Sequence, residues 1–299
     1  MTEAIHDDKK GQEDDRFGGS KLDAGLYLVA TPIGNLRDIT LRALDILRSA
    51  DLILAEDTRH SRRLLDRYGI STPMRPYHEH NADKVRASVL EGLEQGQAIA
   101  LISDAGTPLI SDPGFKLGRA VADAGLPIVP IPGPSAVLSA LCVSGLPTDK
   151  FFYAGFPPPK TIARQKFFNG LASVPATLIF FESPNRVLAS LRDMMQVFGE
   201  RPAVLARELT KIHETIVRSP LPELIDQLKD QKIRGECVLL LGPPQTSGPV
   251  LSEAQIDLAL QEAMESFGVK AAAREVSQMC GLPVRELYAR ALGLRAKPS

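Results

Sequence analysis

The sequence predicts an α/β chain of two lobes followed by a small C-terminal helical bundle. Three observations carry this reading. From Leu22 onward, short apolar runs alternate with amphipathic segments, which is the pattern of parallel strands joined by crossover helices. Three loops rich in glycine and proline each follow a buried-type strand in the first half. A stretch at 242–250, GPPQTSGPV, then introduces a region with helical character only. The segments are a charged tail at 1–21 read as disordered, a first lobe at 22–148, a second at 149–242, a linker at 243–250 and a bundle at 251–299. A length of 299 residues suits about two domains.

The elements follow in order. Leu26–Ala30 reads as a strand, and a Pro/Gly/Asn turn leads from it into a helix near Ile39–Ser49. Leu52–Glu56 is a strand, followed by a helix over Ser61–Arg67 with Thr58 as its cap. A short extended piece at Met74–Tyr77 precedes a helix at Asp83–Glu94. The strands Ala98–Ser103 and Pro127–Ile131 enclose a helix at Phe115–Asp123, and Ala136–Cys142 is helical. In the second lobe the strands are Phe151–Gly155, Thr177–Phe181, Ala203–Ala206, Glu214–Arg218 and Cys237–Leu241. Helices at Ala163–Ala172, Arg186–Val197 and Leu221–Lys229 lie between them. No crossover helix separates Ala203–Ala206 from Glu214–Arg218, so this sheet should be mixed. Phe151, Phe152, Tyr153 and Phe156 read as strand and strand end, hence as core. The bundle comprises Ser252–Phe267, Ala271–Met279 and Val284–Leu292. Ser252 with Gln255 forms a capping box at its start.

Composition excludes several classes. Hydrophobic residues make up 44% and charged residues 24%, with a net charge of −1. That balance speaks against a polyanion binder driven by bulk charge, although a local basic face is compatible with it. Residues 1–20 hold six acids and three bases, so the remainder is slightly basic. The three cysteines, Cys142, Cys237 and Cys280, are scattered and form no CxxC. A zinc cluster or disulfide framework is not expected, and a reducing cytosol fits. No run has the length of a membrane span, and the polar N-terminus does not resemble a secretory signal.

The chemistry should sit at the loops Thr31-Pro32-Ile33-Gly34-Asn35, Ser103-Asp104-Ala105-Gly106-Thr107-Pro108 and Pro132-Gly133-Pro134-Ser135. Ligands of open α/β sheets bind outside the carboxyl ends of the strands. Any one such loop is ordinarily just a tight turn; three on one edge point to a ligand crevice. Neither GxxxxGK[ST] nor GxGxxG occurs after a strand, so the usual nucleotide and dinucleotide sites are not supported. The loops carry little positive charge, and Asp104 suits a ligand with hydroxyls or a cationic group.

Seven ordered stretches carry a family resemblance: LYLVATPIGNLRDIT, AEDTRH, LISDAGTPLISDPG, PIPGPSAVLSAL, GLPTDKFFYAGFPP, FFESPNR and ARELTKIHE. The chain resembles the ribosomal RNA small subunit methyltransferase I family, of the tetrapyrrole methylase superfamily. The resemblance is strong over Leu22–Gly242 and weaker to about Leu294. It implies a two-lobed tetrapyrrole-methylase-like fold with S-adenosyl-L-methionine in the cleft between lobes. The implied activity is that of a 16S rRNA (cytidine 1402-2′-O)-methyltransferase in the cytoplasm, a homodimer acting on the small ribosomal subunit. Superfamily members often carry Gly-Asp-Pro in the central loop. Here only Asp104 matches, as in the rRNA-modifying branch, which argues against a tetrapyrrole C-methyltransferase. A non-catalytic ribosome-assembly factor is the other alternative, and the intact loop set speaks against it. The cofactor contacts that the resemblance implies are Pro32, Asp104, Ala105, Gly106, Thr107, Ile110, Ser135 and Ala136, with Phe181, Glu182, Ala206 and Arg207 on the opposite wall.

Methylation of a ribose hydroxyl needs alignment and a base. Glu56, Asp57, His60, His78, His80, Glu182, Glu208 and Glu214 are candidates. AEDTRH follows the second strand, so Glu56, Asp57 and His60 are the catalytic set expected from position. The HxH of His78 and His80 lacks the further ligands a metal site needs, and no metal is expected. For RNA, Arg59, Arg63 and Arg67 share a helical face, with Arg62 beside them. Arg186, with Arg164 and Lys166, would extend this track. Lys270, Arg274, Arg285, Arg290 and Arg295 would give the bundle a basic face, for RNA contact or as a dimer prop or lid.

Overall fold

The computed structural model describes residues 21–78, 81–110, 114–244 and 252–295. The tail up to residue 20 and most of the linker lie outside the described residues, as does His80. Two compact units result. One runs to residue 172 and again over 176–242, and the other takes residues 173–175 and the chain beyond 242.

The first sheet contains β1 (Gly25–Val29), β2 (Leu52–Ala55), β3 (Met74–Pro76), β4 (Ala98–Ile102) and β5 (Ile128–Ile131). They lie in the order β3-β2-β4-β1-β5, and every pairing is parallel. Both faces of β1, β2 and β4 are covered, which is why these strands read as continuous apolar runs; the edge strand β3 is largely exposed. Ala98, Ala100 and Ile102 of β4 face α1 (Leu41–Ser49) and α2 (Thr58–Arg67). Ile99 and Leu101 face α3 (Ala82–Glu94) and α4 (Phe115–Asp123). The caps explain where the helices begin. Thr40 accepts from Ala43 N, so α1 starts two residues later than its periodicity suggests. Asp57 rather than Thr58 caps α2, accepting from the backbone N–H groups of Arg59 and His60. The carboxylate competes better than the hydroxyl for two orphan donors.

The second sheet contains β6 (Phe151–Tyr153), β7 (Thr177–Glu182), β8 (Pro202–Arg207), β9 (Thr215–Pro220) and β10 (Cys237–Leu241), ordered β6-β7-β10-β8-β9. It is mixed: β6 runs parallel to β7, and the other pairings are antiparallel. α5 (Ala136–Ser144) leaves the last glycine loop of the first lobe and packs Val137, Ala140 and Leu141 onto Ile179, Val204 and Val238 of this sheet. α6 (Thr161–Asn169), α7 (Val187–Phe198) and α8 (Leu221–Leu228) complete the lobe. Phe168 stacks edge-on against Phe180, with ring centroids 5.4 Å apart.

This lobe departs from expectation at its first strand and at Arg164. Phe151 and Phe152 are 44% exposed and Phe156 is 55% exposed. β6 is a three-residue edge strand paired only with β7, so its side chains lack a neighbouring strand to bury them. Arg164 does not face RNA. It is buried and bonds Asp193 at 2.5 Å, while Gln165 takes the other Asp193 oxygen at 2.8 Å.

In the second unit α9 (Glu253–Ser266), α10 (Val269–Cys280) and α11 (Val284–Arg295) enclose Ile256, Leu260, Val276 and Leu287. Both arms of the Ser252–Gln255 capping box form. Gly281 closes α10 at φ +74°, a conformation that glycine adopts without a steric penalty. Arg290 turns inward onto Asp257 at 2.5 Å and so leaves the expected basic face.

Candidate active site

The three glycine loops meet at the carboxyl edge of the first sheet and are bonded to one another. Thr31 and Gly106 exchange backbone hydrogen bonds of 2.9 and 3.0 Å. The Thr31 hydroxyl donates to the Ser103 carbonyl at 3.0 Å, and the Thr107 hydroxyl donates to the Pro134 carbonyl at 3.3 Å. Glycine is required at 106, where φ is +82°. Leu109, just beyond, sits at φ +72°. A branched residue there is strained by about 1–3 kcal/mol, which the bonded loops must overcome. Asp104 is anchored from the neighbouring strand: the Asp57 N–H donates to its Oδ1 at 3.1 Å.

These loops form one wall of a cavity of about 390 Å³. Of the expected cofactor residues, Asp104, Ala105, Gly106, Thr107, Ile110, Ser135, Ala136, Phe181 and Glu182 line it; Pro32, Ala206 and Arg207 do not. Arg207 instead braces its own lobe through the carbonyls of Arg234 and His213. Sequence reasoning missed the floor made by Leu209 and Gly235–Val238, because these residues come from the loop after β8 and from the start of β10, which only the fold brings together. Cys237 lies in this floor, and burial pushes its thiol up to about 11, so it is inert there.

On the second wall, the Glu182 carboxylate is buried and fully used. It accepts from Ser183 N at 2.8 Å, from the Ser190 hydroxyl at 2.5 Å and from Arg186 at 2.7 Å. This network fixes the turn after β7. It also holds the Arg186 guanidinium, which the sequence assigned to RNA, against the protein. Phe156 packs edge-on over Phe181 at 5.5 Å and stands at the cavity. Opposite, the loop 208–211 presses on the first glycine loop. Asn35 N donates to the Thr210 hydroxyl at 3.1 Å, and both Glu208 and Thr210 have positive φ. Glu208 accepts from Lys211 Nζ at 2.8 Å and Glu236 N at 2.9 Å, and the lysine bond chiefly holds its carboxyl below the ordinary glutamate value.

The AEDTRH residues separate by role. The Asp57 carboxyl is held low, first by the Arg59 N–H, as befits a helix cap. His60 is exposed on α2. Glu56 is half-buried; burial chiefly raises its carboxyl, and the nearby charge of Asp104 adds to this. Arg59, Arg62, Arg63 and Arg67 are all exposed, opposite the buried Leu64–Leu65 face of α2, and Arg59 also contacts Asp57 at 3.4 Å.

This arrangement matches known proteins over nearly the whole chain. The family model Tetrapyrrole (Corrin/Porphyrin) Methylases matches residues 25–225, and the RsmI C-terminal HTH domain model matches residues 250–295. A Ribosomal RNA small subunit methyltransferase I of Mesorhizobium japonicum is 48% identical, covering 92% of this chain and 93% of that one. The chain belongs to the ribosomal RNA small subunit methyltransferase I family. Its fold is shared with cobalt precorrin-4 methyltransferase, at TM-score 0.56 and 19% identity over 73% of this chain and 94% of that one. It is shared also with a uroporphyrin-III C-methyltransferase of Thermus thermophilus complexed with S-adenosyl homocysteine, at TM-score 0.51 and 19% identity over 73% and 97% of the two chains. The family is one of rRNA-methylating enzymes, and α9, α10 and α11 lie within the residues matched by its C-terminal HTH model.

Proposed function

We propose that this protein moves the methyl group of S-adenosyl-L-methionine to the ribose 2′-hydroxyl of a decoding-region cytidine, position 1402 of 16S rRNA, in the small ribosomal subunit. One observation carries the reading. Among the described residues, the cavity at the edge of the parallel sheet is lined by Asp104, Glu182 and Glu236 but by no lysine, arginine or histidine. Such a lining tolerates a sulfonium cation and repels phosphate-rich cofactors. When bound, S-adenosyl-L-methionine supplies a methyl group on a cationic sulfur, which departs as a neutral thioether. Asp104, anchored by the Asp57 N–H, would accept from hydroxyl or ammonium groups of the cofactor. Apolar Ile33, Val137, Phe181 and Leu209 exclude water around it. In-line placement of the ribose is worth roughly 7–11 kcal/mol, so rigid bonded loops matter more than additional charge.

Arg59, Arg62, Arg63 and Arg67 offer a phosphate track beside this edge. The names of the curated relatives support the substrate class, and the family resemblance supports a cytoplasmic homodimer, which sedimentation would test. The decisive experiment deletes the gene and maps ribose methylation in the decoding region of small-subunit RNA. One 2′-O-methyl should vanish, return with the wild-type gene and stay absent with Asp104→Ala. An unchanged methylation map would refute the reading.

A further inference from the structure

The geometry points to Glu56 as the general base that takes the proton from the attacking ribose hydroxyl; this rests on the methylation reading above. Three parallel strands converge at one place. Ala55 at the end of β2 pairs with Ile102 of β4 on one side and Pro76 of β3 on the other. The residues immediately beyond are Glu56, then Ser103-Asp104, then Tyr77-His78. Tyr77 N donates to the Ala55 carbonyl at 2.8 Å, and Asp57 N donates to Asp104 Oδ1 at 3.1 Å, so the three strand ends are bonded side by side. Glu56 thereby stands next to Asp104, which lines the cofactor cavity while Glu56 itself lies outside that lining, and at the foot of the α2 arginine stripe, where a ribose reaching the cavity from the stripe would pass.

The other carboxylates that the sequence offers as bases, and His60, have different duties. Asp57 caps α2 and contacts Arg59. Glu182 is closed inside its turn, Glu208 accepts from Lys211 and Glu236, and Glu214 accepts from Thr210 N at 2.7 Å. His60 is exposed on the outer side of α2. The Glu56 carboxylate accepts no hydrogen bond from the described residues, so its lone pairs are available to a substrate hydroxyl. Its surroundings suit the task. Among the described residues, the titratable groups near it are Asp104 beyond β4, His78 beyond β3 and Asp57 beyond its own strand. Burial and the two carboxylates strengthen it as a base, and His78 opposes them.

In the step, the ribose O2′ forms a bond to the donor methyl as the methyl–sulfur bond breaks, and that electron pair stays on sulfur. The O2′ proton passes to a Glu56 oxygen and is later released to water.

The test compares wild type with Glu56→Gln and Glu56→Asp on small subunits carrying unmethylated RNA. Binding of S-adenosylhomocysteine is measured by calorimetry on each. For Glu56→Gln, single-turnover methylation should fall about 10²–10⁴-fold while the binding constant changes less than about twofold. Glu56→Asp should retain part of the rate. A carboxylate accepts a proton only when ionised. The wild-type rate should therefore climb with pH through the Glu56 titration, and Glu56→Gln should lose that limb. Carbon-13 NMR of labelled glutamate should show one resonance, absent in Glu56→Gln, titrating above the ordinary glutamate range. A Glu56→Gln enzyme within threefold of wild type, or one that keeps the acid limb, overturns the assignment while wild-type methylation stands. A wild type that places no methyl on ribose overturns the functional reading and the base with it.

Discussion

At the scale of single residues, carboxylates on this protein do unlike jobs because of what donates to them. Glu208 is the clearest case outside the cavity. Its bonds to Lys211 Nζ and Glu236 N favour the ionised form, so its folded pKa lies below its unfolded value. A group shifted in that direction contributes stability that is complete above the unfolded value and is lost as pH falls through the folded one. Glu208→Gln should therefore cost about 1 kcal/mol at pH 7. The difference from wild type should shrink as pH drops below the ordinary glutamate value. Urea unfolding of both proteins at several pH values measures this; a gap that stays constant into acid would mean the charge is not its source. Asp104 and Glu56 could be picked out from the sequence as polar residues at strand ends. That Glu182 would spend its carboxylate on Ser183, Ser190 and Arg186 could not, because those partners are brought together only by the turn into α7.

At the scale of elements, the parallel sheet is legible because its inner strands β1, β2 and β4 are covered on both faces and therefore read as apolar runs, whereas the exposed edge strand β3 shows only as a short extended piece. Caps were less so: Asp57 and Thr58 are both able, and only geometry selects. Burial at edges was misread at Phe151 and Phe152, since strand propensity says nothing about whether a strand has two neighbours. The loop 208–211 was legible only as a motif, yet it forms part of the cavity floor through Leu209. Its close approach to the first lobe explains Gly34. A Cβ there would lie 2.6 Å from Lys211 Cγ and 2.9 Å from the Leu209 carbonyl. A lysine stem can swing away, but the carbonyl moves only with the loop. Gly34→Ala should lower stability by about 1–3 kcal/mol. It should also weaken S-adenosylhomocysteine binding, because displacing Leu209 opens the floor. Thermal unfolding and calorimetry read the two effects. A variant that melts and binds like wild type would show that the loop yields freely.

At the scale of the whole molecule, charge decides how RNA is met. A net charge of −1 cannot draw a polyanion to the protein as a whole. Attraction must be local, and the structure narrows where. Arg164 is buried against Asp193, Arg186 is tied to Glu182, and Arg290 is turned onto Asp257. Three arginines that look available in the sequence are thus paired with carboxylates of the protein itself, Arg164 in the interior and Arg186 and Arg290 nearer the surface. The exposed α2 stripe keeps its charge at the edge where Asp104 and Glu56 stand. If Arg59, Arg63 and Arg67 each neutralise one phosphate, each releases counterions. The slope of log affinity against log salt then falls by about 0.7 per contact on unpaired RNA. Replacing all three with serine should flatten that slope by about 2 and weaken binding most at low salt, where screening is least. The cofactor cavity contains none of these side chains, so S-adenosylhomocysteine affinity should be unchanged. Filter binding to decoding-region RNA across a salt series makes the comparison. An unaltered slope would remove the stripe from the RNA path and transfer that duty to the exposed Arg285 and Arg295 of α11.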